Sequence, residues 1–85
     1  MNLEEIEEKV VLFIHAAGIG LTMDINTETK LGNELGMDSL DVLALINDLE
    51  KDQDIVLNYD ATNEKDLTVA DICSMVAYGL AEKNG

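Results

Sequence analysis

Val42, Leu45, Ile46 and Leu49 recur at i, i+3, i+4 and i+7 within the stretch NELGMDSLDVLALINDLE. That spacing leaves an α-helix as the regular structure that gathers all four on one side, because a strand would divide them between its two faces. Asp38 has the side chain of a good N-cap, and Asp41 three residues later gives a variant of the capping-box spacing, so the helix is expected to start after Asp38. Two further stripes have the same period. Leu3, Ile6, Val10, Phe13 and Ala17 predict a first helix ending near Gly18 and Gly20, and Val69, Ile72, Cys73, Val76 and Leu80 predict a last helix running from about Thr68.

Between the first two stripes, GIGLTMDINTETKLGNELGM is polar and irregular, a long loop expected to be pinned to the core by Ile19, Leu21, Ile25, Leu31 and Leu35. DIVLNY alternates like a strand but has no second strand to pair with, so Ile55 and Leu57 are expected as core anchors within a loop, and YDATNEKD could hold a short helical turn. No repeat, linker or proline divides the chain. The fold class expected is therefore all-α: a small antiparallel three- to four-helix bundle, one domain over residues 1–85, with a long loop between the first and second helices.

Eighty-five residues need nearly all their apolar side chains for a core, which leaves little room for an enclosed active site. Eighteen acidic residues against five lysines and no arginine give a formal charge of −13. Such a chain repels nucleic acid and anionic membranes and is steered towards proteins with basic patches. A single cysteine, Cys73, cannot form an internal disulfide and falls on the inward stripe of the last helix, where a small core residue is expected. The first 18 residues carry four glutamates where a signal peptide has basic residues, and no apolar run is long enough to span a bilayer. A cytoplasmic monomer is the expectation. Met75 and Tyr78 fall on the outer side of the last helix.

Ser39, between the cap and the stripe, needs its own explanation. A nucleophilic serine requires a base within reach, but the only histidine, His15, lies on the first helix beside an apolar face, and GMDSLD is not G-x-S-x-G. Serine is common at helix starts, so a purely structural role is the simplest reading. Against it stand two features. At about 100° per residue, Leu40, Leu43 and Ala44 fall opposite the core stripe as a second, outward apolar patch beside Ser39. The positive end of a helix, with its unpaired N–H groups, also stabilises a phosphate attached there.

LGMDSLDVLALINDLE resembles the signature of the acyl carrier protein family, and the likeness extends to Leu31 and Leu35 before the motif, Ile55 and Leu57 after it, and LTVADI opening the last helix. The resemblance implies a non-catalytic carrier whose Ser39 receives 4′-phosphopantetheine from coenzyme A through a phosphopantetheinyl transferase. Acyl intermediates of fatty acid, specialised lipid or polyketide biosynthesis would travel on the arm as thioesters. It further implies that acyl-processing enzymes with basic patches dock through Asp38, Asp41, Asp48 and Glu50, with Leu40 and Leu43 as the apolar contact. In that family the bundle can also shelter cargo; here Ile46, Leu49, Ile72 and Val76 read as plain core.

Relative to the common fatty-acid carriers, Ala44 and Lys51 replace acids, Asn47 replaces an apolar contact residue, Gln53 stands where an aromatic is usual, and NYDATNEKD is longer and more polar. An aminoacyl, D-alanyl or peptidyl carrier shares the modified serine and stays open, as does an unmodified acidic adaptor. A calcium-binding protein is the rival of another class. DINTETKLGNEL offers oxygens at Asp24, Asn26 and Glu28 but puts Thr29 and Leu35 where an EF-hand needs glycine and glutamate, and DLEKDQDIVLNY fails likewise at Gln53 and Tyr59.

Overall fold

Asn2 opens the first helix by accepting the Glu5 N–H on its side-chain oxygen at 2.8 Å, while the Glu5 carboxylate accepts the Asn2 N–H at 3.3 Å. In the computed structural model, which describes residues 1–60, 62 and 65–84, this reciprocal cap starts α1, Leu3–Ala16. Gly18, at φ +80°, stops it: the left-handed turn lets Gly18 N–H reach His15 C=O at 2.9 Å and Ile19 N–H reach Ile14 C=O at 3.3 Å. The buried face of α1 is Ile6, Val10 and Ile14, with Phe13 half-buried. This corrects the expected stripe at both ends. Leu3 is 59% exposed and Ala17 is exposed, because both sit at the ends of α1, away from the neighbours that cover its middle. Ile14 is buried instead because α1 packs along α3 and, over a shorter stretch, against α2, which widens its covered arc.

The second helix, α2, spans Ser39–Gln53 behind its Asp38 cap and buries Val42, Leu45, Ile46 and Leu49, as the spacing predicts. Asp54 ends it in the left-handed region, and Lys83 braces that end by donating to Gln53 C=O at 3.0 Å and pairing with Asp54 at 3.7 Å. The third helix, α3, spans Val69–Asn84. Thr68 and Asp71 start it by exchanging backbone N–H bonds at 2.9 and 3.2 Å. Val69, Ile72, Cys73 and Val76 face the core, and Leu80 packs against its margin. Tyr78 is exposed as expected, whereas Met75 is half-buried against the core rather than outward.

Among the described residues the architecture is three helices with no strand, all-α as expected, and the radius of gyration of 12.0 Å matches the roughly 12 Å of a compact chain this long. In YDATNEKD, Tyr59, Asp60, Thr62, Lys65 and Asp66 are not helical, and Ala61, Asn63 and Glu64 lie outside the described residues. The long loop is anchored by buried Leu31 and half-buried Ile19, Ile25 and Leu35. Leu21 corrects the expected anchor set: it is 65% exposed, because a turn closed by Met23 N–H to Gly20 C=O throws it outward. Met37 and Thr29 are buried in addition. Ile55 and Leu57 are core anchors, and Leu57 N–H donates to the Glu50 carboxylate at 2.8 Å.

The loop does more than wander between helices. An isolated antiparallel bridge joins Lys30 to Thr68, with Leu31 N–H donating to Leu67 C=O at 2.9 Å and Val69 N–H to Thr29 C=O at 3.0 Å. The segment leading into α2 is thereby tied to the segment leading into α3.

Candidate functional site

Ser39 is the first residue of α2 and is exposed. Asp38 accepts the Asp41 N–H at 2.9 Å on Oδ1, and Asp41 returns the bond by accepting the Asp38 N–H at 3.2 Å on Oδ2. Asp38 C=O takes the Val42 N–H at 3.0 Å. These bonds leave the Ser39 and Leu40 N–H groups at the positive end of the helix with no partner among the described residues, and the Ser39 hydroxyl is likewise unengaged by any of them.

Beside Ser39 lies a small cleft of about 120 Å³, walled by Met37, Val42, Tyr59 and Leu67, with Lys65 and Asp66 contributing charge. The Lys65 ammonium also lies 3.9 Å from the Asp71 carboxylate. An exposed hydroxyl beside the positive end of a helix favours a negatively charged group there, with Asp38, Asp41 and Asp66 opposing it through like charge.

Down α2 from Ser39, Leu40 is 73% and Leu43 37% exposed, and Ala44 and Asn47 are exposed beside them. At about 100° per residue these four form one strip, flanked by Asp41 and Asp48 on one side and Glu50 on the other. Asp41 and Asp48 are exposed; Asp48 also borders a shallow cleft with Phe13 and Asp52. Glu50 is half-buried and one of its oxygens holds the Leu57 N–H, so it fastens the segment after α2 as well as adding charge. Asp52 is drawn out of the strip altogether, paired with Lys9 at 3.2 Å. Its hydrogen bond from Gln53, and then that from Lys9, hold its carboxyl below the usual range.

His15 and Ser39 line different clefts. His15 borders a concavity of about 440 Å³ with Glu7, Val11, Leu12, Ile25 and Val69, and its buried Nε2 has no hydrogen-bond partner among the described residues. Cys73 is buried, and burial first, then the charge of Glu7, pushes its thiol up to about 11. It is an inert core thiol at neutral pH. Among the described residues no three His, Cys, Asp or Glu side chains converge as a metal site would need. In DINTETKLGNEL the Asn26 side chain accepts the Glu28 N–H at 2.8 Å within its own turn, and Thr29 is buried.

No family model matches the chain.

Of the residues singled out from sequence, the helix start brings Asp38, Ser39, Leu40 and Asp41 together, and the helix repeat adds Leu43, Asp48 and Glu50 farther along α2. The residues that sequence reasoning missed are Tyr59, Lys65 and Asp66, which complete the Ser39 cleft from 20 or more positions away. No local pattern marks them.

Proposed function

We propose that the chain is a carrier that takes 4′-phosphopantetheine on the Ser39 hydroxyl and conveys acyl groups to partner enzymes. The observation that supports this best is the pairing of an exposed, unengaged Ser39 hydroxyl at the positive end of α2 with an outward apolar strip, Leu40 and Leu43, flanked by acids. The chain's resemblance to the acyl carrier protein family supplies the chemistry. In the loading step the Ser39 Oγ–phosphorus bond forms as the bond from that phosphorus to the adenosine bisphosphate half of coenzyme A breaks, and the hydroxyl proton passes to a base of the transferase.

Once attached, the arm supplies a thiol for thioester formation. The chain's own residues do the rest. The free N–H groups at the start of α2 offset the phosphodiester charge, and Asp38 keeps the helix start in register beneath it. Asp41 and Asp48 steer enzymes with basic patches, and Leu40 and Leu43 fill their apolar contact. Docking of this kind is salt-sensitive and quickly reversible, which suits a carrier that visits several enzymes of fatty acid, specialised lipid or polyketide synthesis. No described helix is long and apolar enough to cross a membrane. The test is transfer of phosphopantetheine from coenzyme A to Ser39, read by intact mass.

A further inference from the structure

Asp66 stands 33 and 34 positions from the residues it binds. Its Oδ1 accepts the Gly32 N–H at 2.8 Å and its Oδ2 accepts the Asn33 N–H at 2.9 Å. Two consecutive N–H groups of the loop that leads to Ser39 are therefore clasped by one carboxylate from the segment that leads into α3. The neighbouring ties, Leu31 N–H to Leu67 C=O at 2.9 Å and Met37 N–H to Leu31 C=O at 3.0 Å, are backbone bonds. Asp66 is the side chain among them, and so the point where a substitution can act. Gly32 fits this arrangement closely: a Cβ placed on it would lie 2.9 Å from Asp66 Oδ1, although its backbone conformation is open to any residue.

We infer that Asp66 is a positioning residue for Ser39: its carboxylate holds the Leu31–Met37 loop in place, so that the Asp38 cap and Ser39 are presented in one geometry beside the cleft that Asp66 itself borders. The inference deepens the carrier reading and rests on it for the modification step. Loss of the clasp leaves two N–H groups without their acceptor, and the loop then samples geometries in which Ser39 is misplaced. The transferase sees a smaller fraction of competent carrier, which raises KM and leaves kcat, set by its own chemistry, unchanged.

Two variants break the clasp by different means. Asp66→Ala removes the acceptors; Gly32→Ala keeps the carboxylate but displaces it. Amide hydrogen exchange read by NMR is expected to quicken about ten-fold at positions 32, 33 and 37 in both variants, with Val10 and Val76 unchanged. Asp66→Asn, which keeps one acceptor oxygen, should fall between wild type and Asp66→Ala, and the double variant should be no worse than either single one. With coenzyme A and a phosphopantetheinyl transferase, well below the melting transition, KM for the carrier is expected to rise about five-fold with kcat within about two-fold of wild type.

Exchange that stays slow at those amides, or that quickens evenly over α1 and α3, would overturn the clasp. Local quickening with an unchanged KM would overturn the positioning role. A wild-type chain that accepts no phosphopantetheine would overturn the carrier reading and the positioning role with it, while the exchange data would still decide the clasp.

Discussion

Asp38 and Asp41 hold each other's backbone: the Asp38 carboxylate takes the Asp41 N–H at 2.9 Å and the Asp41 carboxylate takes the Asp38 N–H at 3.2 Å. The pair spends one oxygen of each carboxylate on the helix start and leaves the other to face solvent beside Ser39. Two like charges in a chain of net charge −13 are tolerated there because each meets a backbone N–H at the positive helix end. Asp38→Ala is expected to cost about 1 kcal/mol and lower the melting temperature by roughly 4–8 °C, with Asp38→Ser close to wild type. Thermal melts followed by circular dichroism check both, and an unchanged Asp38→Ala melt would show the cap is idle.

Ile14 and Leu3 reverse the roles that their spacing suggests. Ile14 is fully buried between α1 and its neighbours, while Leu3 is largely exposed. Ile14→Ala should cost about 2–5 kcal/mol, against about 0.5 kcal/mol or less for Leu3→Ala, as measured by urea unfolding. Equal costs would contradict the packing described for α1.

Cys73 gives a sign for alkaline pH. Its thiol, pushed up to about 11 from an ordinary 9.0, stays protonated in the folded chain after it has ionised in the unfolded one. The unfolded state thus binds fewer protons above pH 9, and the thiol's contribution to stability is complete below about 9 and lost as pH rises to about 11. Melting temperature should fall over that window more steeply in wild type than in Cys73→Ala. At pH 7.5 a thiol reagent should label Cys73 only when denaturant is present; prompt labelling of the native chain would contradict its burial.

Charge reversal on the flank of α2 tests the docking strip. Asp41→Lys with Asp48→Lys is expected to slow loading by a transferase with a basic docking patch about ten-fold at low salt, with the gap closing near 1 M salt as the Debye length falls to about 3 Å. Leu40→Ala should slow loading at every salt concentration, since its contact is apolar. A charge reversal without effect at low salt would remove Asp41 and Asp48 from the docking face.

The helices and the Ser39 helix start were legible because their information is local. Val42, Leu45, Ile46 and Leu49 state a helix and its buried face, and Asp38 with Asp41 states where it begins, all within 12 residues. Leu21 could not be placed the same way, since whether a loop leucine is an anchor or a turn tip depends on the turn at Gly20–Met23. Ile14 was missed because a stripe drawn for one partner is too narrow for a helix that touches two. Asp66 was illegible altogether: its partners, Gly32 and Asn33, lie half a chain away, and the Lys30–Thr68 bridge helps bring them together.

The most direct test of the carrier reading is intact-mass spectrometry of wild type and Ser39→Ala after incubation with coenzyme A, Mg²⁺ and a broad-specificity phosphopantetheinyl transferase, with fragmentation to locate any added mass. One phosphopantetheine is expected on wild type, located on Ser39, and none on Ser39→Ala. An unmodified wild type under conditions where a control carrier loads fully, or an added group on Ser39→Ala, would contradict the carrier reading.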